Sequence, residues 1–173
     1  MEKKKNDFIA QGSILAIASI LVRVMGMIYR IPMTAIIGDK GNGFYSYAYS
    51  VYTILLLLSS YSLPLAVSKM VSAKAQLGQW RNVKRVFICA IAFAIGIGTT
   101  FGLIVLVGAQ FFTRVFFHSE LAAIALRFMA PTILIMALLG VFRGFFQGLQ
   151  NTLPTAVSQI VEGLINAIMS VVF

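Results

Sequence analysis

The chain is 173 residues long, 60% hydrophobic, 11% charged and carries a net charge of +9, with a mean hydropathy of +0.92. Soluble domains run nearer half apolar and a quarter charged, so the composition excludes one and points to an integral membrane protein; about 20 residues cross a bilayer, and the length fits five spans with short loops. The basic residues lie mostly at segment ends, where membrane topology places them, which argues against a nucleic-acid partner, and the single cysteine, Cys89, excludes an intrachain disulfide and a cysteine-based metal site.

The expected fold is all-α, a multi-helix transmembrane bundle with predicted spans at 8–37, 44–68, 86–112, 121–147 and 155–173. The start, MEKKKNDF, resembles a signal n-region, but no small-residue cleavage site follows, so a retained first helix is predicted. Span one contains Arg23 and Arg30 within RVMGMIYR. A guanidinium deep in a bilayer costs a few kcal/mol on the mildest scales and cannot escape by losing its proton. Gly12, Ala16, Ser19, Arg23, Gly26, Arg30 and Thr34 recur at three- and four-residue steps and so share one helix face. Seven residues put Arg23 and Arg30 about 10 Å apart on that face. This small, polar, cationic stripe is expected to line a cavity and hold an anion; the alternative is snorkelling to an interface, more readily for Arg30 than for Arg23.

A breaker cluster, Gly38 to Gly43, is expected to turn the chain into span two. That span opens with Tyr45, Tyr47, Tyr49 and Tyr52, either an interfacial belt or a set of sugar contacts. It closes near Pro64, which is either a bending point or a static kink. Residues 69–85, with Lys69, Lys74, Arg81, Lys84 and Arg85 around Trp80, are expected to form an interfacial amphipathic connector. Together with Lys3, Lys4 and Lys5 they predict a cytoplasmic N-terminus in a multi-pass cell-membrane protein.

Span three, with Gly96, Gly98 and Gly102, is predicted to be a packing helix. Span four carries Arg127, either a third cavity cation or a snorkelling residue paired with Glu120. Pro131 follows, then Gly140, Gly144 and Gly148 at four-residue spacing, a ridge that permits close helix approach. Arg143 is assigned to the cytoplasmic boundary. The turn around Asn151 to Pro154 leads to span five, whose Gln159, Glu162 and Asn166 include one charge. Glu162 is either a proton or cation site or the ion-pair partner of a first-span arginine. The last span stops at Phe173 inside an apolar run, so a longer chain or a truncated product is expected.

No catalytic constellation is present: His118 has no cysteine partner, and Glu120 and Glu162 fall on different spans. No Walker-type P-loop occurs, and no cofactor or metal is expected. What remains is binding, and arginine suits phosphate through its bidentate geometry.

The run SILVRVMGMIYRIPMTAIIGDKGNGFYSYAYSVYTILLLLSSYSLPLAVSKMVS and the later FRGFFQGLQNTLPTAVSQIVE resemble the stage V sporulation protein B and MurJ-type lipid II flippase family of the MOP exporter superfamily. The resemblance covers nearly the whole chain and is weakest between about 86 and 125. It implies a two-lobed transporter of twelve to fourteen helices, not an enzyme, in which this chain supplies the first five helices of the N-lobe. It also implies an undecaprenyl-linked sugar as substrate, moved by alternating access, with first-helix arginines around a glycine lining the cavity at the lipid diphosphate. Arg23, Gly26 and Arg30 match that pattern, one residue longer than the usual MurJ spacing. Arg127 is the further candidate. The expected partners are a lipid-linked oligosaccharide, membrane lipids and the remaining helices of the transporter. Two other readings stay open: a cation-coupled multidrug exporter of the same fold, and a non-transporting membrane scaffold for cell-wall enzymes.

Overall fold

A computed structural model describes residues 2–60, 62–117 and 121–172, with side-chain surroundings for 12–54, 56–57, 62–115 and 122–170. His118 and Glu120, and with Glu120 the suggested partner of Arg127, lie outside the described residues. The described chain is helical between its turns: α1 (Glu2–Ser60), α2 (Leu63–Gln76), α3 (Trp80–Phe117), α4 (Leu121–Gly148) and α5 (Leu153–Val172). Stretches of three helices are long and apolar enough to cross a membrane: Gly12–Ile54, Trp80–Val115 and Ala122–Gly148. The molecule is an all-α membrane bundle. α5, interrupted by Gln159, Glu162 and Asn166, is not among those three.

The Gly12–Ile54 stretch is 43 residues, about twice what one crossing needs, and it is not straight. Gly38 has φ 72 and ψ 173, a backbone region open essentially to glycine alone. Tyr45 beyond the break comes within electrostatic range of Tyr29 and Arg30 before it. On a straight helix, Arg30 and Tyr45 would be separated by about 22 Å, so α1 bends back at Gly38 into two arms.

Three boundaries differ from the sequence expectation. The breaker cluster at 38–43 collapses to a single non-helical residue, because helix resumes at Asp39 and keeps its backbone groups paired, as an apolar surrounding demands. Span two does not run to 68 through a kink at Pro64. α1 ends at Ser60 and Pro64 sits in the first turn of α2, where its missing N–H costs no hydrogen bond. The connector at 69–85 is divided: α2 runs to Gln76, a turn with Gly78 at φ 67 follows, and Arg81, Lys84 and Arg85 already belong to α3.

α4 is the central element. Its Ala123, Leu126, Ala130 and Ile133 form one core with Ala48, Val51 and Tyr52 of α1 and Val105 and Ala109 of α3. Further along, Ala137 and Val141 join Leu63, Val67 and Val71 of α2 and Val83 and Ala94 of α3. The glycine ridge makes the second contact close. A Cβ at Gly144 would stand 2.5 Å from the Pro64 carbonyl oxygen, and one at Gly148 would stand 2.7 Å from that of Ser68. Gly140 is buried on the same ridge. On α3, a Cβ at Gly98 would lie 2.9 Å from Leu134 Cα. α4 continues through Pro131.

Candidate functional site: a cationic stripe beside a polar seam

The first arm of α1 packs against α5 through Val22 and Met25, which lie 3.2–3.5 Å from where a Gly163 Cβ would stand. The stripe of Arg23, Gly26 and Arg30 lies roughly a third of a turn around the helix from that contact, on a face left open. Arg23 and Arg30 are exposed, and nothing lies within 4 Å of a Cβ built at Gly26. Small polar residues along the stripe satisfy themselves locally: Ser19 donates to the Leu15 carbonyl at 2.8 Å, and Thr34 to the Arg30 carbonyl at 3.0 Å. The stripe therefore presents cations rather than competing hydroxyl donors. Among the described residues, neither arginine has an ion-pair partner. Arg127 is exposed on α4, and no ion pair or hydrogen bond among the described residues ties it to α1.

Glu162 does not reach an arginine of the first span. It pairs with Arg143 of α4, Nη2 to Oε2 at 2.7 Å, with side chains 39% and 18% exposed respectively. The length is that of a charge-assisted bond. Arg143 Nε also donates to Ser158 Oγ at 3.4 Å, and Ser158 donates in turn to the Thr155 carbonyl at 2.8 Å. Arg143 thus ties α4 to α5. Arg143 and Glu162 lie on either side of the turn at 149–152, six residues before it and ten after it.

Thr155, Gln159, Glu162 and Asn166 share one face of α5. Thr155 Oγ1 and Gln159 Oε1 are buried without a hydrogen-bond partner among the described residues. The second arm of α1 faces the same region. Tyr52 is buried in one core with Leu126, Ala130 and Ile133 of α4 and lies within electrostatic range of Glu162. Above it, the Tyr49 and Tyr45 rings follow in sequence towards Arg30. A cationic stripe, an aromatic ladder and a polar seam therefore adjoin one another within a membrane bundle.

The profile described as polysaccharide biosynthesis protein matches residues 8–173. The chain is 27% identical over 163 residues to the lipid II flippase MurJ of Bacillus subtilis (strain 168), covering 90% of this chain and 30% of that protein. It is 27% identical over 161 residues to stage V sporulation protein B of the same organism, covering 93% and 31%. It is 28% identical over 159 residues to that organism's uncharacterized membrane protein YabM, covering 91% and 29%. The chain thus spans roughly three-tenths of the length of these relatives. No solved structure matches it. With a match that runs over nearly all of its helices, the chain belongs to the polysaccharide biosynthesis protein family.

Proposed function

We propose that the protein is a flippase for an anionic lipid-linked sugar, an undecaprenyl-linked cell-wall or polysaccharide precursor, working by alternating access. One observation carries the reading: Arg23 and Arg30 stand exposed on one face of a membrane-spanning helix, either side of the open position at Gly26. Permanently charged groups at such a place are expensive unless a wet cavity or an anion faces them, and a diphosphate matches guanidinium geometry. The family match and the flippase among the relatives support the same substrate class. Arg127, exposed on α4, is a third candidate cation for the same cavity. The facing wall is assigned to further helices of a two-lobed transporter, about whose midplane site the lobes rock. The basic N-terminal segment and the basic residues of α2 and α3 favour a cytoplasmic N-terminus. Glu162, engaged by Arg143, serves as a structural tie in this scheme.

The test is flipping of a fluorescent lipid-linked sugar by the intact protein in vesicles. Arg23→Ala combined with Arg30→Ala is expected to abolish flipping while expression stays normal. Transport that persists unchanged would overturn the cationic-cavity role, and organic-cation efflux surviving the same change would point to a drug exporter.

A further inference from the structure

Tyr45, Tyr49 and Tyr52 form a ladder on the second arm of α1. The first two rings are stacked, with centroids 5.8 Å apart and planes at 19°; the next pair is at 6.0 Å and 40°. An interfacial belt holds its rings at one headgroup level, whereas these positions climb about 10 Å along the helix. Nor do both ends meet lipid. Tyr52 is 9% exposed, packed against α4 and within range of Glu162. Tyr45 at the other end lies within range of Arg30. Tyr49 between them is 48% exposed. The ladder thus connects the cationic stripe of the first arm to the α4–α5 ion pair.

The inner end offers hydrogen-bond acceptors. Arg143 holds the Glu162 carboxylate in place. That carboxylate is 39% exposed and engages Arg143 through Oε2, so it keeps capacity to accept from a ligand hydroxyl. The half-exposed Tyr49 ring, stacked on Tyr45, and a carboxylate at the inner end of the ladder match a saccharide, which has an apolar C–H face and many hydroxyl donors.

We propose that Tyr45, Tyr49 and Tyr52, with Glu162 at the inner end, form a saccharide subsite for the sugar head of the same lipid whose diphosphate Arg23 and Arg30 hold. This rests on the cationic-cavity reading above for its orientation, with phosphate at the Arg30 end and sugar towards Glu162.

The experiment measures binding of two probes to the intact protein in nanodiscs: undecaprenyl diphosphate, and the same lipid bearing one N-acetylglucosamine. The unmodified protein is expected to prefer the sugar-bearing probe. Tyr45→Leu with Tyr49→Leu is expected to weaken that probe about tenfold, the loss of two aromatic contacts, and to leave the bare diphosphate lipid bound as before. Tyr49→Phe, which keeps the ring, is expected to retain most of the preference. Should the double variant fail to fold, Tyr49→Leu at its half-exposed position carries the comparison with about a threefold effect. Equal affinity of the unmodified protein for the two probes, or a preference that the leucine variants leave intact, would overturn the subsite. Arg23→Ala with Arg30→Ala is expected to weaken both probes in parallel. If it leaves the bare lipid unaffected while the leucine variants still erase the sugar preference, the cation reading fails and the saccharide subsite stands.

Discussion

Arg143 of α4 and Glu162 of α5 meet at 2.7 Å, with the arginine the more deeply buried of the two. Removing one partner of a buried pair costs more than the pair itself contributes, because a charge is left without compensation. Glu162→Ala strands the arginine and is expected to lower stability by about 1–3 kcal/mol, below the fully buried range because water reaches the carboxylate. Arg143→Ala strands only the more exposed carboxylate and is expected to cost less. Thermal unfolding in detergent checks the order, and a double variant costing less than the sum of the two would establish the coupling.

Gly38 is the bend that makes two arms of one long helix. A side chain there meets no atom within 4 Å, yet the backbone stands at φ 72 and ψ 173. Gly38→Ala is therefore expected to destabilise by about 1–3 kcal/mol through backbone strain alone. Gly26→Ala provides the contrast, since the position is helical and open. It is expected to leave stability unchanged or to raise it by up to about 1 kcal/mol. A loss of flipping in that variant, with normal melting, would then report contact with the transported lipid.

Gly144 tests the closest approach in the bundle. A methyl group there would sit 2.8 Å from Pro64 Cα and 2.5 Å from the Pro64 carbonyl oxygen, and backbone cannot move aside as a side chain can. Gly144→Ala is expected to cost about 1–3 kcal/mol by overpacking. Gly96→Ala, with nothing within 4 Å, is expected to be harmless. Equal melting temperatures for the two variants would contradict the α2–α4 packing.

Lysine at positions 23 and 30 separates charge from geometry. Both arginines are exposed on the stripe, so Arg23→Lys and Arg30→Lys are expected to leave folding intact. Each should retain part of the flipping, because lysine keeps the charge but loses the bidentate fork that fits a diphosphate. Full activity in the double lysine variant would mean that the cations act only as a diffuse field.

Much of this arrangement was legible in the residues themselves. The membrane class follows from composition, because a chain this apolar and this poor in charge has no other stable surroundings. The shared face of Arg23, Gly26 and Arg30 follows from helical periodicity, which needs only local geometry. The glycine ridge at 140, 144 and 148 announced a close contact, and α2 supplies the partner for Gly144 and Gly148.

What stayed hidden depends on which surfaces meet. Gly38 and Pro64 were both visible as breakers, but propensity cannot say whether a breaker turns, kinks or merely starts a helix. That is decided by whether the backbone around it finds hydrogen-bond partners: a single strained glycine sufficed for α1, and a first-turn proline for α2. Glu162 was recognisable as an expensive charge, yet its partner depended on the turn at 149–152 folding α5 back beside α4. The tyrosines of the second arm were ambiguous between lipid and ligand because sequence reports spacing but not the far side. Composition and period thus determined that these helices exist and which faces are polar. Only the tertiary structure decided which faces pair, because a charge or ring finds its partner through contacts distant in the chain, about which local propensity carries no information.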